Sequence, residues 1–251
     1  MWLLLNLGGK VAALLLADSA WAVAVACWFV PDAILAYHVF MPHAQGTLRA
    51  PRRFITAGRE VWLTIDDGPD AEDTPRILQL LAEHQARATF FLIGQKAAAH
   101  PALVHAIVAG GHEIAHHTHT HPIGTFWCAT PGRVRRELDA ATDIFCRLGI
   151  SATRFRTPGN QKSPWLQSVL KSRRLAPIDW TARGLEGWST SPGAVADRVL
   201  RHLAPGNILL LHEGPGVPVG IRVEGVREVL GRLTRAGYKC VVPTAAQLAS
   251  S

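Results

Sequence analysis

The stretch EVWLTIDDGP, residues 60–69, is an apolar run of strand length that ends in two adjacent carboxylates, Asp66 and Asp67, and a Gly-Pro pair. Adjacent carboxylates repel each other, so a buried pair at a strand end is expected mainly where a cation neutralises at least one of them. Because Asp, Gly and Pro are also turn formers, an exposed turn is the alternative reading of this stretch.

From Glu60 onward, apolar runs of strand length alternate with segments of helical period, which predicts βα units and a parallel sheet. The predicted strands are Glu60–Asp66, Ala88–Leu92, Glu113–His116, Ala152–Arg156, Ala176–Ala182, Asn207–His212 and Tyr238–Val242. The predicted helices lie near Thr74–His84, Pro101–Ala109, Arg133–Leu148, Pro164–Arg173, Pro192–Leu203 and Val223–Ala236. Seven strands fit either an open doubly wound sheet or a barrel.

The positions of polar residues favour the barrel. Asp66 with Asp67, His117, Arg156, Glu186 and His212 all fall at or just beyond the carboxyl ends of different predicted strands. A βα barrel builds its active site from several such strand ends, which meet at one rim.

Four histidines lie within the segment HHTHTH, residues 116–121. His117 and His121 are spaced i, i+4, which would place both imidazoles on one side of a helical turn, where they can share a metal ion. With Asp67 they form a set of two imidazoles and one carboxylate that leaves positions open for water and substrate, as in catalytic sites. Zinc is the default choice, and manganese, cobalt, nickel or iron could replace it.

The chain from about residue 61 to residue 247 resembles the NodB-homology domain of polysaccharide deacetylases, carbohydrate esterase family 4. The family's first motif, TFDDGP, is similar to TIDDGP at 64–69, and its second motif is matched by GHE at 111–113 followed by HTHTH at 117–121. The family's strand after the first helix resembles ARATFF at 86–91.

The later family motifs are altered. The third, R-x-P-Y-G, corresponds to RTPGN at 156–160, so Gly159 replaces the aromatic residue. The fourth corresponds to WTARGLEG at 180–187, where Arg183 replaces the first Asp and Glu186 stands where the second would be. The fifth, L-x-H, is kept as LLH at 210–212.

The resemblance implies an α/β fold, a distorted (β/α)7 barrel of the NodB-homology type, and metal-dependent hydrolysis of an N-acetyl group from an N-acetylhexosamine. It implies Asp67, His117 and His121 as metal ligands, Asp66 as general base, Arg156 as the cation that holds Asp66, His212 as general acid, and Glu186 as its partner. The implied substrate-binding residues are Pro158, Gly159, Thr118 and Leu210. A polymer such as peptidoglycan and a lipid-linked sugar both remain possible substrates, and a catalytically silent carbohydrate-binding module on the same barrel is the alternative function.

The amino-terminal segment is strongly apolar. Val11–Val30 has one charge, Asp18, in twenty residues, which predicts a helical membrane segment. Ala24-Val25-Ala26 before Cys27 would suit a cleaved signal peptide, the main alternative, although apolar residues continue to Met41. The segment could also form two short passes. A single- or double-pass anchor in a bacterial-type inner membrane is therefore expected, and the sequence does not determine on which side of the membrane the catalytic domain lies.

These features predict three parts: a hydrophobic membrane segment at 1–41, a linker at 42–58 and a catalytic domain at 59–251. The composition, with 48% hydrophobic and 18% charged residues, excludes intrinsic disorder. The net charge of +7 comes from scattered arginines without a basic run or an aromatic ladder, so nucleic acid is not an expected partner. The four cysteines lack metal-knuckle spacing, and the oligomeric state stays open.

Overall fold

A computed structural model describes residues 2–248. The helices are α1 (Trp2–Leu16), α2 (Trp21–Phe40), α3 (Asp73–Glu83), α4 (Gly94–Ala99), α5 (Pro101–Ala109), α6 (Pro131–Arg147), α7 (Leu166–Ser172), α8 (Pro192–Leu200), α9 (Arg222–Arg235) and α10 (Ala245–Leu248). The strands are β1 (Glu60–Gly68), β2 (Ala88–Leu92), β3 (Glu113–His116), β4 (Arg154–Phe155), β5 (Ala176–Pro177), β6 (Ala182–Arg183), β7 (Ile208–His212) and β8 (Lys239–Cys240). Single 3₁₀ turns occur at Phe126–Cys128, Pro158–Asn160 and Glu186–Trp188.

The strands form a curled parallel sheet in the order β5-β4-β3-β2-β1-β7-β6, and β8 pairs with the beginning of β1. β1 pairs with three strands, β2, β7 and β8, and its residues from Val61 to Asp66 are buried. The register places Asp66 opposite His212 on β7, and Leu92 of β2 opposite His116 of β3. The predicted α/β fold of the distorted-barrel type is confirmed, and the carboxyl ends of its strands meet at one rim.

The predicted strand Ala176–Ala182 was wrong as a single element. Residues 176–177 pair with β4, whereas residues 182–183 pair with β7 at the opposite edge of the sheet. Between these two bridges, Asp179 N donates to Pro51 O, and Thr181 Oγ1 donates to Arg52 O. The run is therefore divided because its middle residues pair with the preceding linker instead of with a strand. Helix α4, which the sequence pattern did not predict, is too short for its period to be recognised.

The predicted linker packs against the barrel. Leu48 and Phe54 are buried in two separate core clusters. Phe54 N donates to Gly206 O, and Arg53 forms an antiparallel bridge with Asn207. Residues 48–55 thus run between the two edge strands, where they add apolar contacts to the core.

The predicted single helix Val11–Val30 was wrong, because the chain turns at residues 17–20. Asp18 and Ser19 lie in this turn, where their side chains favour non-helical backbone. Helices α1 and α2 pack antiparallel, and a Cβ on Gly9 would come within 2.6 Å of Cys27 O, so glycine permits their close approach. Among the described residues, α2 is the helix long and apolar enough to cross a membrane, with 20 residues and mean hydropathy 1.7. We call α1, α2 and their connection the N-terminal hairpin.

Candidate active site

A β-bulge lies at the end of β1. The pairing of β1 with β2 shifts register between Asp66 and Gly68, and Asp67 has a left-handed φ of 73°. In a regular strand, neighbouring side chains point to opposite faces, and a bulge re-aims them. Asp66 and Asp67 therefore both line one cavity, although they are adjacent in sequence.

Residues 117–121, which we call the histidine loop, bring two imidazoles to Asp67. The loop is not the helical turn that the i, i+4 spacing predicted; Thr118 and His121 have left-handed φ values of 67° and 55°. Thr118 Oγ1 accepts a hydrogen bond of 3.2 Å from His121 N. The two imidazole centroids lie 4.8 Å apart. The loop therefore brings the two imidazoles together, as the spacing predicted, but through a non-helical backbone.

Three side-chain atoms meet in this corner. Asp67 Oδ1 lies 3.3 Å from His117 Nε2 and 3.1 Å from His121 Nε2. The three donor atoms lie within 4.8 Å of one another. Two ligand atoms at about 2.0–2.1 Å from one tetrahedral zinc ion are about 3.3 Å apart, which matches both distances. Asp67 Oδ1 and His121 Nε2 are buried without a hydrogen-bond partner in the described chain, as expected of metal-ligand atoms.

The protonation states also suit a metal ion. Burial, together with the charge of His117, lowers the pKa of His121 to about 4. Burial opposes ionisation of Asp67, but the neighbouring histidines hold the pKa of its carboxyl well below the ordinary value. His117 Nδ1 lies 3.0 Å from Arg156 O, which assigns the proton to Nδ1 and leaves Nε2 as the donor atom. The neutral imidazole of His121 and the ionised carboxylate of Asp67 are the forms that bind a divalent cation.

Asp66 is paired with a buried arginine. Arg156 Nη1 donates to Asp66 Oδ1 at 2.8 Å and to Thr64 Oγ1 at 2.7 Å. Asp66 is 2% exposed and Arg156 is 1% exposed, so this ion pair is shielded from water. The guanidinium lies over the ring of Phe91 at 4.1 Å. Asp66 Oδ2 remains 3.8 Å from His117 Nε2, next to the candidate metal site.

His212 and Glu186 form a second pair on the other side of the cavity. His212 Nδ1 lies 3.1 Å from Glu186 Oε2, and His212 N donates to Glu186 Oε1 at 2.8 Å. Leu185 has a left-handed φ of 51°, and a Cβ on Gly184 would come within 2.7 Å of Glu186 Cδ. This turn aims the carboxylate at the imidazole. Burial lowers the pKa of His212, but Glu186 and the two aspartates raise it to about 9.

One cavity of about 140 Å³ is lined by Asp66, Asp67, His117, His121 and His212, while Arg156 and Glu186 pair with two of these residues without lining it themselves. Of the residues predicted to bind substrate, Gly159 and Leu210 line it, whereas Pro158 and Thr118 do not. Sequence reasoning did not select Trp180, Asn160, Ile123 or Leu185 as site residues, yet each lines the cavity. Arg183 also reaches it, and its guanidinium lies 5.8 Å from the ring of Trp180.

Two further residues support the site from outside the cavity, and the sequence predicted neither of them. Glu137 on α6 accepts hydrogen bonds from His119 N at 3.0 Å and from Thr120 N at 2.9 Å. Lys96 Nζ donates to Asp67 O at 2.6 Å. Glu137 lies on an amphipathic helix like any surface carboxylate, so no sequence signal distinguishes it from its neighbours.

Comparison with known proteins identifies the family. A family model described as polysaccharide deacetylase matches residues 55–176. A chitooligosaccharide deacetylase of Sinorhizobium fredii is 38% identical over 170 residues, which cover 66% of this chain and 78% of that protein. This chain belongs to the polysaccharide deacetylase family. The family predicted from the motifs is confirmed. The prediction that the chain is a metal-dependent deacetylase is confirmed at the level of the family.

A further curated relative and a solved structure extend the likeness. A peptidoglycan-N-acetylglucosamine deacetylase of Bacillus cereus is 31% identical over 185 residues, covering 72% of this chain and 66% of that protein. The crystal structure of the Bc1960 peptidoglycan N-acetylglucosamine deacetylase superposes with a TM-score of 0.72 at 27% identity. That superposition covers 80% of this chain and 92% of the other chain.

Proposed function

We propose that this chain is a divalent-metal-dependent hydrolase that removes the N-acetyl group from an N-acetylhexosamine-containing glycan or glycolipid. The observation that carries the proposal is that one cavity is lined by residues from three groups of side chains. These are the metal-ligand set of Asp67, His117 and His121, the Asp66–Arg156 pair, and the Glu186–His212 pair. The relatives are named as deacetylases of chitooligosaccharides and of peptidoglycan N-acetylglucosamine, which supports the same reaction class.

A divalent ion, with zinc as first choice, would supply a Lewis acid that polarises the acyl oxygen and acidifies the attacking water. Asp66 then accepts the proton of that water as general base. Arg156 keeps the carboxylate ionised and oriented, since it donates to Asp66 Oδ1 at 2.8 Å. Asp66 Oδ2 stays available for the proton, because the arginine occupies the other oxygen.

His212 acts as the general acid. Glu186 binds Nδ1 of the imidazole, so the Nε2 proton is the one free to pass to the leaving amine. The raised pKa, about 9, keeps the imidazole protonated at neutral pH until the C–N bond breaks. The N–H of Gly159 stabilises the developing oxyanion, and Leu210 provides an apolar wall for the acetyl methyl group.

The chain's three-part organisation is part of the proposal. Residues 1–41 anchor the enzyme in the membrane, residues 42–58 lead into the barrel, and residues 59–251 catalyse the reaction. The support is the apolar surface of the N-terminal hairpin, where Leu4, Leu15 and Trp21 are more than 70% exposed. Such a surface is expected to lie in lipid.

Acetate release by the purified, zinc-loaded full chain tests the function. N-acetylated oligosaccharides and lipid-linked N-acetylhexosamines are incubated with enzyme, with and without a chelator. We expect chelator-sensitive release, and we expect Asp66→Asn to abolish it while zinc binding, measured by calorimetry, survives. Silence on every substrate with zinc still bound would favour the carbohydrate-binding module instead.

A further inference from the structure

The N-terminal hairpin is joined to the rim of the catalytic cavity. Lys162 Nζ donates to Met41 O at 3.0 Å and to Ala44 O at 2.9 Å, and this lysine is 3% exposed. Asn160, which lines the cavity, donates to Phe40 O at 3.4 Å. The end of α2 therefore lies beside the Gly159 wall of the active site, so the membrane-facing hairpin and the catalytic cavity share one edge of the barrel.

The same rim carries exposed apolar side chains. They belong to loops that follow the carboxyl ends of strands: Ile123, Trp127, Trp165, Trp188 and Val219. Trp188 is 87% exposed, and Trp127 and Trp165 are 41% and 38% exposed. Tryptophans concentrate where a protein meets the membrane–water interface. Their placement around the active-site mouth indicates that this mouth lies against the bilayer.

A groove of about 320 Å³ runs between α2 and this rim. One side is formed by α2, from Asp32 through Ala36 to Phe40, and the other by Trp127 and Trp165 with their neighbours. The groove is mainly apolar, and the ring of Phe40 meets that of Trp127 at 5.4 Å.

The groove and the catalytic cavity are neighbours. The chain runs from Ile123, which lines the cavity, to Trp127, which lines the groove, and Trp127 Nε1 donates to Gly124 O at 3.0 Å. A molecule whose polar end occupies the cavity can thus extend its other end along α2.

We propose that the substrate is a lipid-linked N-acetylhexosamine, whose sugar enters the cavity from the bilayer while the first part of its hydrocarbon chain lies in the groove beside α2. The inference rests on the proposed deacetylase function and names its substrate class. A soluble or cell-wall polymer has no hydrocarbon for this groove, although its sugars can stack on the rim tryptophans, so the groove is the feature that favours a membrane-borne substrate. A membrane-borne substrate uses both.

The test compares substrates that differ only in the chain. The zinc-loaded full chain is reconstituted in vesicles of phosphatidylethanolamine and phosphatidylglycerol, and acetate release is measured from hexadecyl and methyl N-acetylglucosaminides and from chitotetraose. We expect kcat/KM for the hexadecyl glycoside to exceed that for the methyl glycoside at least about tenfold, which requires the burial of only about two methylene groups. Ala36→Trp fills the groove, and Ala33→Trp, at another exposed alanine of α2 outside the groove, is the matched control.

Ala36→Trp should remove most of the hexadecyl preference and leave the methyl glycoside rate unchanged, while Ala33→Trp should change neither. Equal kcat/KM for both glycosides, a preference for chitotetraose, or equal behaviour of the two tryptophan variants would overturn the lipid-linked substrate and leave deacetylation intact. If no substrate releases acetate in a chelator-sensitive manner, the deacetylase function itself fails, and this inference with it.

Discussion

Replacing Glu186 by glutamine should move the alkaline limb of the pH–rate profile. In the parent protein Glu186 lies 3.1 Å from His212 Nδ1, and the pKa of His212 is raised from 6.5 to about 9. A general acid is active only while protonated, so the rate falls as pH rises through this pKa. Glutamine keeps the size and can still accept a hydrogen bond, but it removes the charge that opposes the effect of burial.

The size of the effect follows from these pKa values. At pH 8 an imidazole with a pKa of about 9 is about 90% protonated, whereas one with the ordinary pKa of 6.5 is about 3% protonated. We therefore expect kcat/KM at pH 8 to fall about 30-fold, and the alkaline limb to move down by about 2.5 pH units. At pH 6 the loss should be only about 1.3-fold, because about three quarters of the variant's imidazole is still protonated there.

The assay is acetate release from pH 5 to 10 with zinc kept in excess, together with an NMR titration of His212 in the metal-free protein. Glu224→Gln is the control, since Glu224 is a partly exposed carboxylate on α9 far from the cavity that pairs with Arg76. A lower rate at every pH with an unmoved alkaline limb, or an unchanged His212 titration, would refute the assignment of Glu186 as the group that keeps His212 protonated.

Three other substitutions test the support of the site. Arg156→Met leaves Asp66 as an unpaired buried charge, so unfolding by denaturant should show a loss of about 3–5 kcal/mol. Glu137→Ala removes the acceptor of the histidine loop without touching a ligand, so zinc affinity measured by calorimetry should fall about 10–100-fold. Gly68→Ala places a Cβ that clashes with Glu213 Oε1, so the melting temperature should drop; an unchanged melting curve would contradict this close contact.

The sequence predicts the alternation of strands and helices well, because β1, β2 and β7 contain apolar runs with clear ends. It predicts the edges of the sheet poorly. β5 and β6 are two residues each. The residues between them bond to the linker, and β6 pairs with β7. Pairing with a segment more than a hundred residues away leaves no local period to recognise.

The N-terminal hairpin shows a different limit. Hydropathy identifies the apolar segment but not where it bends, because apolar residues occur on both sides of the turn at 17–20. The bend also brings together Lys10 and Asp32, which form an ion pair at 3.1 Å. Two charges that look unfavourable in an apolar helix when considered singly are thus partners across the hairpin.

The two adjacent carboxylates of β1 show how the fold resolves the conflict that their sequence predicts. Two neighbouring aspartates would repel each other if both faced the same environment. The bulge at Asp67 instead gives Asp66 a buried arginine and gives Asp67 two imidazoles. Separate partners allow the two chemically identical side chains to have separate roles, since environment sets what each carboxylate does. The bulge is therefore what converts a repulsive pair into a base and a metal ligand, and no pattern of hydrophobic residues could have revealed it.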